Sequence, residues 1–197
     1  MSKDITTIIK FTGTDYTSHN TYRGDFSNSI VDWGDGTIES PSQLIHTYID
    51  NNQHTIQIIN APYSTECFAY SLMTNISIPT NITEIGTYCF YKCNNLTSIN
   101  VPYGVTTLGE GAFYYCDNLI DINIPTTITT IPRICFAYCP NLRKIYLNWT
   151  TSNEIVSYSA QWVYSVNNDF KYYIPHGTTS LYRDKGYPPQ LLQEVTS

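Results

Sequence analysis

The sequence is short of charge, of long apolar runs and of clustered cations, and each shortage argues against a class of function. Charged residues make up 13% of the 197 residues, the net charge is -6, and Lys and Arg form no cluster. Because proteins hold a phosphate backbone with clustered cations, no nucleic-acid partner is expected. No segment contains the ~18 consecutive apolar residues of a membrane span, so no membrane insertion is expected. No apolar signal-peptide core is visible at positions 1–13, so we expect a protein that stays where it is made, or one whose leader was removed.

Catalytic motifs are also missing, although residues with chemistry are present. The four histidines form neither an HExxH motif nor a nucleophile–base pattern, so structural roles are favoured over catalysis. Asp32 and Asp35 fit calcium ligands, but two carboxylates among glycines more often form only a turn. We therefore expect neither an enzyme nor a metal or cofactor site.

What the sequence does contain is a repeat, at an interval of 23 residues. Positions 89–102, 112–125 and 135–147 follow one template, and positions 67–79 form a degenerate earlier copy with one residue missing. A fixed period of this length predicts a solenoid, here of at least four coils, in which each coil is too weak to fold alone. The recurring residues are Phe90, Phe113 and Phe136; Cys93, Cys116 and Cys139; Leu96, Leu119 and Leu142; and Ile99, Ile122 and Ile145.

Each copy contains one predicted strand. Ile122 and Ile124 alternate with polar residues, which indicates a short strand with Asp121 and Asn123 facing away from the core. Strands of successive copies are expected to pair as a parallel sheet. Pro79, Pro102 and Pro125 are expected to end the strands, because proline lacks the ladder donor. We expect Gly86 and Gly109 to allow the turn before the next Phe.

The repeat resembles the BspA-like, Treponema-type leucine-rich repeats, whose pattern joins a Phe, a Cys and a Leu-x-x-Ile-x-Ile-Pro strand. The resemblance covers positions 67–147, and positions 172–175 with Gly177, Tyr182 and Gly186 are similar to that family's end cap. Positions 149–170 depart from the 23-residue spacing and are interpreted as one enlarged last coil. The resemblance implies a mainly β fold, a leucine-rich-repeat solenoid with short parallel strands.

A different pattern precedes the repeats. Positions 31–37 read VDWGDGT and positions 46–48 read HTY; the glycines predict a tight hairpin turn with Trp33 packed below it. The two motifs resemble the polycystic-kidney-disease (PKD) type of β-sandwich. We expect a small antiparallel β-sheet or reduced β-sandwich that caps the first coil, with Ile5, Ile8, Ile9 and Phe11 in its first strand. The predicted units are 1–62, the PKD-like cap; 63–148, the repeats; and 149–197, the last coil and C-terminal cap.

The six cysteines are expected to be reduced and buried. Cys89 and Cys93 are spaced Cys-x-x-x-Cys, which no common structural zinc module uses, and Ala112 replaces the first of these positions in the next copy. Stacked coils would bring the cysteines of one column within disulfide distance, but three in a column cannot all pair. A small buried residue explains every copy.

Two surfaces are the candidate partner-binding sites. A row of tyrosines is expected around the convex turns, where aromatic rings supply contact area at low entropic cost; the alternative is that these rings only cover the coil edge. The outward residues of the strands form a second, polar surface. The candidate residues are Tyr91, Tyr114, Tyr115 and Tyr138 on the turns, and Asn100, Asp121, Asn123, Arg143, Lys144 and Tyr146 on the strands.

The leading hypothesis is a non-enzymatic recognition or adhesion module that binds a protein or glycan receptor. The resemblance implies a location on an exterior surface. The missing leader and anchor favour a virion as the setting of this role, and a cell surface is the other expected location. The alternative is a purely structural subunit of a virion or surface layer, which binds other virion proteins or itself. A phage tail or capsid decoration needs neither leader nor anchor, because lysis releases it.

Overall fold

The computed structural model describes residues 6–12, 15–17, 26–40, 45–47, 52–63, 66–152 and 154–195. Within these ranges the chain forms fourteen strands, one α-helix of six residues and one 3₁₀ turn. No helix in this part of the chain is long and apolar enough to cross a bilayer. The fold is therefore mainly β, as the repeat pattern predicted.

The N-terminal part is an antiparallel sheet that ends on the first strand of the solenoid. The strand order is β4-β3-β6-β1-β7, and β1 pairs with β6 along its whole length and with β7 on its other side. β2 and β5 form a separate antiparallel pair. The strands are β1 (Thr6–Thr12), β2 (Asp15–Thr17), β3 (Ile30–Asp32), β4 (Ile38–Glu39), β5 (Ile45–Thr47), β6 (Gln53–Ile59) and β7 (Asn75–Ser77).

The predicted antiparallel sheet is confirmed, and its pairing with β7 joins it to the repeats. The division into three units at positions 62 and 148 stays a prediction. Ile8, Ile9 and Phe11 lie in β1 as expected. Ile5 and Tyr48, which the sequence placed in the first strand and in the HTY motif, lie outside the described residues.

The VDWGDGT motif forms the predicted hairpin between β3 and β4. Asp32 and Asp35 each accept a hydrogen bond from a backbone amide of the turn, at 2.9 Å from Gly34 and 3.0 Å from Thr37. Gly34 and Gly36 have φ of 79° and 97°, in the region that favours glycine. Trp33 is fully buried. Both carboxylates thus serve the turn, and no group of three or more metal-ligating side chains occurs among the residues that the structure describes.

The repeats form a parallel solenoid. The main sheet has the order β14-β13-β12-β11-β9, all parallel, and Asp121 pairs with Ser98 on one side and Lys144 on the other, at the predicted interval of 23 residues. β8 and β10 form a second parallel pair, in a separate two-stranded sheet. The strands are β8 (Glu84–Ile85), β9 (Ser98–Asn100), β10 (Thr107–Leu108), β11 (Asp121–Ile124), β12 (Lys144–Leu147), β13 (Lys171–Pro175) and β14 (Leu192–Val195).

The recurring Phe, Leu and Ile residues fill one continuous core. Phe90 stacks on Phe68 at 5.5 Å between ring centroids, and Phe113 stacks on Phe90 at 5.4 Å and on Phe136 at 5.7 Å. The interplanar angles are 5° to 12°, so the rings form a nearly parallel column through four coils. The three Leu and three Ile of the template are also buried. The predicted interior is confirmed.

The turns before the strands use left-handed backbone at two positions in each of four coils. Tyr88 and Lys92, with φ of 53° and 55°, are the two such positions of one coil, and their amides donate to carbonyls of the next coil at 3.0 Å each. The expected roles of Gly86 and Gly109 need correction, since neither is among the positive-φ glycines. A Cβ on Gly109 would lie 2.1 Å from the amide nitrogen of Thr87. Glycine is needed there because the backbones of neighbouring coils approach closely.

The interval lengthens between the last two coils. Ile145 in β12 pairs with Tyr172 in β13, 27 positions later. Buried residues of the longer connection, Trp149 and Trp162 among them, extend the core. Helix α1 (Thr179–Asp184) and a 3₁₀ turn (Pro189–Leu191) precede β14. Tyr182 of α1 donates hydrogen bonds to the carbonyls of Leu147 and Trp149, which fixes this helix over the last coil.

Candidate functional site

The turns present a continuous row of tyrosine rings, here called the tyrosine ridge. Consecutive ring centroids lie 4.5 to 6.2 Å apart, within the range of attractive aromatic contacts. Most of the rings are partly buried, and the two end rings, Tyr70 and Tyr164, are exposed at 43% and 38%. The ridge consists of Tyr70, Tyr88, Tyr91, Tyr114, Tyr115, Tyr138 and Tyr164.

The repeat itself produces this row. Tyr91 and Tyr114 stand 23 positions apart and stack at 5.7 Å with an interplanar angle of 17°. Tyr115 and Tyr138, also 23 apart, stack at 4.7 Å and 7°. Neighbouring coils are about 4.8 Å apart, so equivalent tyrosines meet face to face. Their packing against one another holds the ridge in a fixed shape.

One cation lies within the ridge. Lys92 replaces a tyrosine in the column of Tyr115 and Tyr138, and its Nζ lies 5.3 Å from the ring centroid of Tyr70, 5.4 Å from that of Tyr91 and 5.7 Å from that of Tyr115. All three distances are within the ~6 Å limit for a cation–π interaction. The ridge is therefore an environment that attracts positive charge.

Two phenol groups of the ridge are held neutral. Exclusion of water by the surrounding residues, together with the neighbouring tyrosines, raises the pKa of Tyr91 and of Tyr114 to about 12. These two hydroxyls thus remain hydrogen-bond donors at any physiological pH.

The strand face carries a ladder of asparagines. Asn123 Nδ2 donates to Asn100 Oδ1 at 2.9 Å, and Asn148 Nδ2 donates to Asn123 Oδ1 at 2.7 Å and to the Ile124 carbonyl at 2.9 Å. Beside this ladder is a shallow depression of about 440 Å³, whose other lining residues include Tyr103, exposed at 72%. The depression offers amide groups and one aromatic ring.

The remaining candidates lie on neighbouring strands of the same sheet. Tyr146 contacts Tyr173 at 5.0 Å between centroids, and Lys144 Nζ lies 5.6 Å from the Tyr173 ring. Asp121 sits beside Lys144 in the register. Arg143 lines a separate depression of about 240 Å³ together with Thr97, Asn118, Ile120 and Asn141.

The structure divides the ten predicted site residues between two surfaces, the ridge and the strand face. Sequence reasoning missed Tyr70, although Tyr70 follows Phe68 by two positions as Tyr115 follows Phe113. Tyr88 and Lys92 were visible as neighbours of the recognised template. Tyr164 lies in the lengthened coil, where the 23-residue interval gives no signal.

The cysteines are free and buried, as predicted. The thiols of Cys93, Cys116 and Cys139 each donate a hydrogen bond to the carbonyl of the Phe in the preceding coil, at 3.1, 3.1 and 3.2 Å. Burial raises the pKa of Cys93 and of Cys139 to about 12. A small apolar residue with a weak donor fits this position, which explains the cysteine column without metal or disulfide.

The histidine of the HTY motif supports the hairpin turn. His46 Nε2 lies 2.8 Å from Asp35 Oδ2, and its ring stacks on Trp33 at 4.6 Å. The hydrogen bond from His46, together with that from the Thr37 amide, lowers the pKa of Asp35 to about 2. The arrangement stabilises the hairpin turn, and the Asp35 carboxylate has a structural role there.

This geometry, a parallel solenoid of about five turns with one short strand and one aromatic core rung per coil, defines a leucine-rich-repeat scaffold. The family described as BspA type leucine rich repeat region matches residues 63–174 in six copies. That match covers more than half of the chain, and the chain belongs to this family.

Solved structures with similar folds include leucine-rich-repeat proteins. A leucine rich cell surface protein from Faecalibacterium prausnitzii is 23% identical with a TM-score of 0.39, and the match covers 61% of this chain and 31% of that one. The pneumococcal vaccine antigen PcpA is 15% identical with a TM-score of 0.42, covering 61% and 29%. A leucine-rich-repeat protein of T. pallidum is 20% identical with a TM-score of 0.37, covering 56% and 58%. The chain thus spans about a third of the first protein's length. A search of curated proteins found no match.

Proposed function

We propose that this chain is a non-enzymatic recognition module that binds a protein partner at an exterior surface, with the tyrosine ridge as its contact site. The observation that carries the proposal is the ridge itself: seven rings in mutual contact along the turns of consecutive coils. Tyrosine is enriched in protein interfaces because it offers large contact area with only two rotatable side-chain bonds. Rings that are already packed lose little further freedom on binding.

Two histidines and the cysteine column have structural partners, which supports a non-enzymatic role. His46 pairs with Asp35 and His176 lies 3.1 Å from Glu194. The cysteine column is bonded to backbone carbonyls in the core. Repeat scaffolds of this kind present extended rigid surfaces, which suits recognition better than chemistry.

A glycan is the second candidate partner, and the asparagine ladder supports it. Amide groups donate and accept hydrogen bonds, and Tyr103 supplies an exposed ring beside them in the same depression. Asp121, Asn123 and Asn100 would take part in this site, and Arg143, Lys144 and Tyr146 would border it. The location proposed for either activity is a cell surface or a virion.

Binding to cells tests the proposal and separates the two partners. We expect labelled protein to bind whole cells, and the triple variant Tyr114→Ala, Tyr115→Ala, Tyr138→Ala to bind at least about 30-fold more weakly, because interface hot spots contribute 2 kcal/mol or more. Protease treatment of the cells should abolish binding, whereas loss after periodate oxidation would indicate a glycan. Asn123→Ala probes the glycan candidate on the strand face, and Arg183→Ala, exposed on α1 and outside both surfaces, serves as the control. Unchanged binding by the triple variant, folded by circular dichroism, would refute the ridge assignment.

An assembly subunit of a virion or surface layer is the alternative function. The observation in its favour is that β4 and β14 are the end strands of their sheets within the described residues, with Ile38 exposed at 65% and Val195 at 37%. Unpaired strand edges can add the strand of a neighbouring molecule. Sedimentation tests this alternative: a defined oligomer supports assembly, and a monomer across the concentration range opposes it.

The PKD-type character of the N-terminal sheet is retained as a proposal. It is supported by the hairpin at WGDGT and by the contact of Trp33 with His46. Its role would be to cover the edge of β7 through the pairing with β1. Deleting positions 1–60 should expose this edge and cause association, measured by sedimentation; a deletion variant that stays monomeric would oppose a capping role.

A further inference from the structure

One end of the tyrosine ridge encloses a small depression of its own. It is lined by Tyr88, Tyr91, Tyr114 and Glu66 and has a volume of about 220 Å³. The ring centroids of the three tyrosines lie 5.7, 6.2 and 5.7 Å apart. Tyr88 is tilted by 67° to Tyr91 and by 52° to Tyr114, so the rings do not form a flat stack. Three ring surfaces and a carboxylate meet around one space.

The backbone holds Tyr88 in this position. Tyr88 has φ of 53° and donates its amide to the Glu110 carbonyl of the next coil at 3.0 Å. Its ring lies over Gly111, the equivalent residue of that coil, and a Cβ on Gly111 would be 2.3 Å from Tyr88 Cε1. Only glycine leaves room for the ring. The third wall of the depression therefore depends on a specific small residue beneath it.

The electrostatics of the depression favour a cation. The faces of aromatic rings are electronegative, and Glu66 adds a carboxylate to the lining. Glu110 lies near as well: after loss of water contact, the carboxylates of Glu110 and Glu66 are the main causes that raise the pKa of Tyr88, although Arg133 opposes them. Among the described residues no Lys, Arg or His forms an ion pair with Glu66.

The same ridge already holds a cation against one of these rings. Lys92 Nζ is shared by Tyr70, Tyr91 and Tyr115, so Tyr91 belongs both to the lysine site and to the Glu66 depression. The lysine site is satisfied from within the chain. The Glu66 depression has the same aromatic character but opens to solvent.

We propose that the depression formed by Tyr88, Tyr91, Tyr114 and Glu66, here called the Glu66 cage, binds a quaternary ammonium group. The proposal deepens the proposed function and rests on it only in that the cage is part of the ridge. A quaternary ammonium group has no N–H to satisfy and is held by ring faces and a carboxylate, the groups that line this space. An inorganic cation would need several oxygen ligands to replace its water, and Glu66 is the one carboxylate among the described residues that line this space.

The size of the cage agrees with such a ligand. At about 30 Å³ per liquid water molecule, 220 Å³ corresponds to roughly seven waters, and tetramethylammonium has five heavy atoms. The depression is shallow and open to solvent, so we expect weak binding, with a dissociation constant on the order of 1 mM.

Ligand-observed NMR with the intact chain tests the inference. Tetramethylammonium and choline should show saturation transfer to their methyl signals and a saturable titration, whereas 3,3-dimethylbutan-1-ol, the neutral isostere of choline, should bind at least about tenfold more weakly. Equal binding of the neutral alcohol, or no saturable binding of either cation, would overturn the proposal. Co-sedimentation with phosphatidylcholine vesicles identifies the source: vesicle binding that choline competes assigns the cage to a lipid headgroup, and choline binding alone assigns it to a free cation.

Variants locate the binding within the molecule. Glu66→Gln keeps the shape of the cage but removes its charge, and Tyr88→Leu removes one ring. Each variant should bind tetramethylammonium at least about fivefold more weakly. Gly111→Ala should do the same by displacing the Tyr88 ring, while Tyr103→Leu, on the strand face, should change nothing. Full binding by folded Glu66→Gln and Tyr88→Leu would refute the cage. Cell binding is measured separately, with the Tyr114/Tyr115/Tyr138 variant. A negative result for tetramethylammonium therefore does not contradict the proposed function, and a negative result for cell binding does not contradict the cage.

Discussion

Removing one ring from the middle of the phenylalanine column tests the basis of this fold. Phe113 is fully buried and stacks on Phe90 at 5.4 Å and on Phe136 at 5.7 Å. Phe113→Ala removes a buried aromatic side chain and leaves a cavity that the neighbouring coils cannot close, because the parallel ladder fixes their spacing. Such changes cost about 3–5 kcal/mol. Since solenoid stability is the sum of coil and neighbour terms, a loss of this size in a central coil should destabilise the whole array.

Urea denaturation followed by circular dichroism measures the effect. Phe113→Ala should lower the free energy of unfolding by about 4 kcal/mol, whereas Tyr103→Ala at an exposed site should change it by less than about 0.5 kcal/mol. A double-mutant cycle with Phe90→Leu and Phe113→Leu should give a coupling of about 0.5–1.5 kcal/mol for the ring pair. A loss below about 1 kcal/mol, or no coupling, would refute the shared aromatic core.

Three further predictions concern the turn, the thiols and the backbone. Hydrogen bonds to the Asp35 carboxylate hold its pKa at about 2, below the usual 3.8. The carboxylate therefore stabilises the fold above pH ~4, and this contribution is lost as the pH falls towards 2. Asp35→Asn should remove this part of the pH dependence of urea unfolding, and an unchanged profile would contradict the role of the turn. Since burial raises the pKa of Cys93 and Cys139 to about 12, the native protein at pH 8 should not react with a disulfide reagent and should titrate six thiols in urea; fast native reaction would show that the column is not buried. At Tyr115, where φ is 59°, glycine should be more stable than alanine by about 0.5–1 kcal/mol in urea denaturation, and a more stable alanine variant would exclude the left-handed backbone.

The solenoid could be predicted from the sequence because the 23-residue period and the prolines that end the strands agree. The 23-residue interval fixes the register of Asp121 with Ser98 and Lys144, and each proline falls after its strand. The register in which β1 pairs with β7 could not be predicted, because an antiparallel contact between two different segments produces no repeat interval in the sequence. The reason for Gly109 was also misjudged. A close approach between two backbones depends on how coils stack, and a single coil does not reveal it.

The candidate site was only partly predictable for a related reason. Tyrosines at template positions, such as Tyr114 and Tyr138, could be assigned to the turns from the repeat. Their grouping into a ridge with Lys92 and Tyr88 depends on side-chain directions that residues in left-handed conformation set. No local sequence pattern predicts these directions. Asn148 was missed for the ladder because it follows the end of β12 and lies two positions after Tyr146, the residue that the repeat of Asn100 and Asn123 leads to.

The distribution of left-handed residues favours a binding role for the ridge over simple coverage of the coil edge. Nine described residues other than glycine have positive φ, and Tyr70, Tyr88, Tyr115 and Tyr138 are four of them. A residue with a Cβ costs roughly 1–2 kcal/mol in this conformation, which glycine avoids. Contacts between ring pairs return about 0.5–1.5 kcal/mol, so for stability alone tyrosine has little advantage at these turns. Backbone strain that persists at an exposed surface is typical of functional sites. Tyrosine at these strained positions is the pattern expected if, as proposed, the rings contact a partner outside the coil.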